Sequence, residues 1–302
     1  MTRTLRVLLG QLEPATHDVG ANAATVCTLL GEHPDADLAV FPELFLQAYA
    51  LRGITPVDLD AGGPVARVAD AARRARTAVV VGVAERSDAG MWNSALCIDE
   101  RGEIAARYRK VHLYGAETRF FDPGDAYVVV RVAGVDVGLL ICYDVEFPEA
   151  SRALVAAGAR LLVTLSANMH PYGDDHALFV RVRALENRVP HVYVNCIGRE
   201  GRLEFCGRSS VADTTGRVLC ELSASSPDVR VVEVPLGRPE GTDVWPDYLR
   251  DRRPEVHAGA AVAEADQPCG DPATQLEPRW ASRPGASLGL VPSSRRRVPR
   301  AL

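Results

Sequence analysis

Three residues with complementary chemistry stand where buried strands end: Glu43, Lys110 and Cys142. Cys142 follows Val135 to Ile141, a mostly apolar run with one glycine that reads as a buried strand. Glu149 to Gly158 (EASRALVAAG) then reads as a helix closed by a glycine. Cys142 therefore sits where a strand hands over to a helix. A thiol at such a turn meets backbone N–H groups that favour a thiolate and can later hold an oxyanion. Glu43 follows Asp37-Leu38-Ala39-Val40-Phe41-Pro42, and Lys110 follows Tyr108-Arg109. A carboxylate can take the thiol proton and later activate water. An ammonium can stabilise both the thiolate and a developing oxyanion. Singly, each residue has a plainer reading: Cys142 as a core cysteine, Glu43 as a helix-entry residue, Lys110 as half of a surface ion pair.

Lys110 stands out for another reason. Of 34 basic residues it is the single lysine. The chain uses arginine almost everywhere a surface cation serves. A lone lysine points to a position needing a compact ammonium on a flexible stem rather than a broad planar fork.

The elements that must position these residues follow from periodicity. Strands are expected over Leu5 to Leu12, Asp37 to Phe41, Ala78 to Glu85 and Arg160 to Ser166. Hairpins are expected for Trp92 to Asp99 with Glu103 to Arg109, and for Val128 to Val132 with Val135 to Ile141. His191 to Ile197, Ser209 to Asp213, Val218 to Leu222 and Val229 to Val234 complete the strands. Helices are expected from about Val19 to Gly31, capped by Asp18, from Pro64 to Arg76, and from Asp175 to Arg188. Hairpins together with helices imply a layered α/β domain with mixed sheets. In such folds strand ends are where sites assemble.

Composition bounds the rest. A length of 302 residues with 47% hydrophobic content suits a globular protein of one large domain or two ordinary ones. No stretch has the apolar length of a membrane span, and Met1 to Leu12 is not a signal peptide. A net charge of −5 argues against nucleic acid as partner. The cysteines at 27, 97, 142, 196, 206, 220 and 269 are scattered and odd in number, which implies no zinc site, no disulfide framework and a reducing, cytoplasmic setting. Residues 258–302 are rich in Ala, Gly, Pro, Ser and Arg and read as a disordered tail after a domain spanning 1–257.

The three motifs, in this order, resemble the nitrilase superfamily of carbon–nitrogen hydrolases. FPELFLQAY (Phe41–Tyr49) is similar to the segment carrying that family's base, YRKVHL (Tyr108–Leu113) to its lysine segment, and GLLICYDVEFPE (Gly138–Glu149) to its nucleophile elbow. Ser166-Ala167-Asn168-Met169, Arg183-Ala184-Leu185-Glu186-Asn187 and Gly207-Arg208-Ser209-Ser210 extend the resemblance over roughly residues 4–250. It implies a four-layer αββα sandwich, a homodimer or larger assembly, and no metal or organic cofactor. It also implies roles: Glu43 as base, Lys110 as oxyanion stabiliser, Cys142 as nucleophile, and Glu117 as the second glutamate orienting the lysine. The Tyr143 N–H would complete the oxyanion hole, and Tyr49, Tyr143, Glu146 and Asn168 would contact substrate.

The expected reaction is hydrolysis of a small linear amide through a thioester. Relatives acting on carboxylate-bearing substrates commonly carry Arg four residues after the cysteine. Here that position is Glu146, which favours a cationic substrate. CYDVEFPE with SANMHPY resembles amidases of amino-amides, such as 5-aminopentanamidase. Alternatively Glu146 caps the next helix or pairs with Arg152. N-carbamoyl compounds and nitriles are alternative substrates. A cysteine peptidase pairing Cys142 with His170, His176 or His191 leaves Glu43 and Lys110 without roles, and an inactive scaffold leaves all three.

Overall fold

The computed structural model describes residues 3–59, 62–237 and 246–257. In chain order the first half comprises β1 (Thr4–Gln11), α1 (Val19–Glu32), β2 (Leu38–Val40), α2 (Pro64–Ala75), β3 (Ala78–Ser87), β4 (Gly90–Ile98) and β5 (Ile104–Arg109). The second half comprises β6 (Val129–Val132), β7 (Val135–Ile141), α3 (Pro148–Ala156), β8 (Leu161–Ser166), α4 (Gly173–Asn187) and β9 (His191–Asn195). It continues with β10 (Ile197–Glu200), β11 (Leu203–Cys206), β12 (Ser210–Ala212), β13 (Val218–Glu221) and β14 (Asp228–Pro235).

Two six-stranded sheets result, ordered β14-β1-β2-β3-β4-β5 and β13-β12-β9-β8-β7-β6. Both are mixed: β1, β2 and β3 run parallel, as do β7, β8 and β9, with antiparallel strands outside them. Side-chain alternation decides the layers. Leu5, Val7 and Leu9 of β1 and Val137, Leu139 and Ile141 of β7 share one core between the sheets. Leu8, Val79 and Val81 face the opposite way, against Val26 and Leu30 of α1 and Val68 and Ala72 of α2. Leu140 and Leu162 likewise meet Leu154 of α3. The order is helix, sheet, sheet, helix: an αββα sandwich. Strands covered on both faces need continuous apolar runs, which explains the unbroken VVVGV of β3. Each such fully buried Val or Leu contributes roughly 1.5–3 kcal/mol.

Most expected elements form with ends shifted by a residue or two. Asp18 caps α1, its Oδ1 accepting from the Ala21 N–H at 2.8 Å. The expected single strand from His191 to Ile197 is broken at Cys196, and β10 leaves to pair with β11, a strand the periodicity missed. Asn195 explains the break. Its N–H donates to Ser209 Oγ, and its Nδ2 donates to the carbonyls of Asn168 and Gly207. Those bonds tie the chain to neighbouring loops where a longer strand would continue.

The chain divides into Met1–Arg252 and Arg253–Leu302. Within the latter, Pro254–His257 form one short helical turn. The tail expected at 258–302 lies outside the described residues. Among the described residues no helix is long and apolar enough to cross a membrane.

Candidate active site

Cys142 is the first residue of a 3₁₀ turn, Cys142–Glu146, that leaves the carboxyl end of β7. Its φ is +45°, a left-handed conformation that costs a non-glycine residue roughly 1–3 kcal/mol and persists only when its surroundings impose it. Two side chains impose it. Asp144, fully buried, accepts from the Ile141 N–H at 2.9 Å, the Tyr108 hydroxyl at 2.7 Å and the His112 N–H at 3.0 Å. Arg183 reaches from α4 and donates to the carbonyls of Val145 at 3.0 Å and Glu146 at 2.9 Å. The turn is thus pinned at its entry and its exit.

Glu43 and Lys110 converge from the carboxyl ends of β2 and β5. Lys110 Nζ lies 2.7 Å from Glu43 Oε1 and 2.8 Å from Glu117 Oε1. Glu117 arrives on a second 3₁₀ turn, Gly115–Arg119. Exposure is 1% for Glu43 and Lys110 and zero for Glu117. Buried charges must be paired and hydrogen-bonded, and these are. Glu43 also accepts from Asn93 Nδ2 at 2.7 Å and the Ala167 N–H at 2.9 Å. Glu117 accepts from the Tyr49 hydroxyl at 2.6 Å and the Tyr114 N–H at 2.9 Å.

One ammonium between two carboxylates leaves an excess of negative charge in a dry site. Burial chiefly pushes the Glu43 carboxyl up to about 7; Lys110 opposes the rise and Glu117 adds to it. Glu117 is shifted down, because Lys110 and its hydrogen bonds outweigh burial. Burial alone would lower the Lys110 ammonium, but the two carboxylates raise it, so it stays cationic. Burial and the charge of Glu43 raise the Cys142 thiol, against Lys110 and a hydrogen bond with Ser166. At rest this is a neutral thiol beside a base poised near neutrality. Such a set can transfer a proton from sulfur when an acyl carbon is presented.

Cys142, 9% exposed, opens into a cavity of about 240 Å³ lined also by Tyr114, Tyr143, Glu146, Tyr172 and Asp175. Glu146 neither caps α3 nor pairs with Arg152. Its Oε1 lies 3.2 Å from His176 Nε2, and a third of its side chain is exposed. His176 Nδ1 lies 3.0 Å from the Tyr193 hydroxyl, which donates to Ser166 Oγ. Asn168 lines the same cavity with its amide committed to the Tyr172 carbonyl and the Met169 N–H. Tyr49 sits behind the cluster, its hydroxyl on Glu117 and its ring edge-on to Phe205. A larger hollow of about 620 Å³ near Arg160 and Leu249 contains none of these residues. Among the described residues no group of His, Cys, Asp and Glu is arranged to hold a metal ion.

Sequence reasoning missed Asn93, Asp144 and Tyr193, named His176 only as a peptidase partner for Cys142, and gave Arg183 no role. Asn93 and Asp144 carried one usable signal, a polar residue inside an otherwise apolar buried segment.

A model of the carbon–nitrogen hydrolase family matches residues 6–242. An (R)-stereoselective amidase from Pseudomonas sp. is 37% identical over 260 residues, covering 82% of this chain and 89% of the relative. A nitrilase from Pyrococcus abyssi is 31% identical over 263 residues, covering 84% and 99%. An amidase from Nesterenkonia sp. AN1, seen with the acetamide moiety of fluoroacetamide on its active-site cysteine, superposes with a TM-score of 0.74 at 32% identity, covering 84% of this chain and 95% of that one. A catalytic-type cysteine on a strained elbow, the αββα layering and a match spanning most of the chain lead to one conclusion: the chain belongs to the carbon–nitrogen hydrolase family and is a hydrolase of the amidase kind.

Proposed function

We propose that the protein hydrolyses small linear amides bearing an amine, such as 5-aminopentanamide, to acid and ammonia, with Cys142 as nucleophile. Glu43 takes the thiol proton as sulfur attacks the amide carbon. Lys110 and the Tyr143 N–H hold the oxyanion, and Glu117 holds Lys110. Glu43 returns the proton to the leaving nitrogen, and ammonia departs from a thioester. Water then loses a proton to Glu43 and cleaves the thioester, and that proton restores the thiol. The observation that carries this reading is Lys110 Nζ suspended between Glu43 and Glu117, at 2.7 and 2.8 Å. The amine preference is supported by Glu146 and Asp175 in the cavity wall. A homo-oligomeric assembly and a reducing, cytoplasmic setting belong to the same proposal.

N-carbamoyl compounds and nitriles would use the same three residues. Ammonia release from 5-aminopentanamide, pentanamide, glutaramate, a ureido acid and a nitrile separates them. The amino-amide is expected to show the highest kcat/KM and glutaramate the lowest of the three amides. A partly exposed ion pair is worth only ~0–1 kcal/mol, so the preference grows with how far substrate displaces water. Glu146→Gln is expected to lose chiefly the cationic substrate. An equal fall for all three amides would make Glu146 structural.

A further inference from the structure

We propose that the cavity beside Cys142 is an onium box, accepting amides whose far end is an N-methylated, including quaternary, ammonium group. This rests on the amide-hydrolase reading of the same site. Three tyrosines form the walls. The rings of Tyr114 and Tyr143 are 5.4 Å apart at 70°, and those of Tyr114 and Tyr172 are 6.4 Å apart at 73°. Two rings thus stand nearly upright against a third. Glu146 and Asp175 also line the cavity and supply negative charge.

Some of the hydrogen-bonding groups around this box are committed elsewhere. Tyr172, beside the Tyr114 hydroxyl, pushes that hydroxyl up to about 12. Glu146 Oε1 is at His176 Nε2, and the Asn168 amide is held by backbone. A primary ammonium brings three N–H donors, and each loses a water when it enters. A quaternary ammonium brings none. It needs only aromatic rings and opposite charge, and both line this cavity. Methylation therefore removes a desolvation cost without removing the attraction.

The test compares 5-(trimethylammonio)pentanamide with its neutral carbon isostere, 6,6-dimethylheptanamide. Ammonia release reads the reaction, and protection of Cys142 against iodoacetamide reads binding. The cation is expected to exceed the isostere by ~10-fold or more in kcat/KM and in protection, the scale of aromatic faces acting with a carboxylate. Tyr172, 41% exposed, can be replaced without opening the core. Tyr172→Leu is expected to shrink the cation-to-isostere ratio measured on one enzyme sample. If no amide releases ammonia but the cation alone protects, the reaction reading falls and the onium site stands. Equal protection by both compounds, protection by neither, or a ratio unchanged in Tyr172→Leu overturns the onium site.

Discussion

At the scale of single residues, the site is a problem in buried charge. Lys110 is the one ammonium shared by Glu43 and Glu117, and geometry explains why the only lysine of the chain is here. A guanidinium is wider and would not place one donor both between two carboxylates and at an oxyanion. Lys110→Arg is therefore expected to lower kcat by ~10²–10³, almost as much as Lys110→Ala, in a steady-state ammonia assay. Near wild-type turnover in the Arg variant would mean that only charge matters. Glu43 sets the pH dependence. A base works deprotonated, and burial chiefly holds this carboxyl up to about 7. The expected kcat/KM is flat above that pH and falls about tenfold per unit below it. A break in the ordinary carboxylate range would contradict the assignment. Glu43, Lys110 and Cys142 were legible in the sequence because each closes a strand. The Glu146–His176 contact was not, because the two side chains are 30 residues apart and meet only through tertiary packing.

At the scale of elements, what matters is how strand ends are held in register with the loops that carry the site. Gly82 of β3 shows this. A Cβ there would lie 2.3 Å from the Leu44 nitrogen and 2.4 Å from the Pro42 carbonyl, so the backbone flanking Glu43 rests directly on the strand. The two segments are joined by bonds from the Gly82 N–H to Pro42 O at 3.1 Å and from the Leu46 N–H to Gly82 O at 3.1 Å. Gly82→Ala must push that loop away. Overpacking costs ~1–3 kcal/mol, while misplacing a catalytic group by about 1 Å costs ~10²-fold in rate. The variant is expected to lose kcat far out of proportion to its thermal shift, measured by calorimetry and turnover on the same preparation. Wild-type turnover would show that the loop adjusts without moving Glu43. VVVGV reads in sequence as a strand, and the reason for its glycine does not. The β10–β11 ribbon was hidden for a similar reason, since Asn195 ends β9 through side-chain bonds that no hydrophobic period records.

At the scale of the molecule, the two mixed sheets and their helices put the carboxyl ends of β2, β5 and β7 around one site. The layered class followed from hairpins alternating with helices, whereas the pairing of the two sheets face to face came only through resemblance. From composition, residues 258–302 are expected to add nothing to the core. Deleting them is expected to leave melting temperature and turnover unchanged. Loss of either would move the domain boundary. The central claim is that Cys142 carries the acyl group. The most direct measurement is the mass of the Cys142 peptide after rapid acid quench of the enzyme with a small amide. The account predicts an adduct equal to the substrate less ammonia, on Cys142, which disappears as the thioester hydrolyses and is absent with turnover in Cys142→Ala. Continued turnover by Cys142→Ala, or an adduct on another residue, would contradict it.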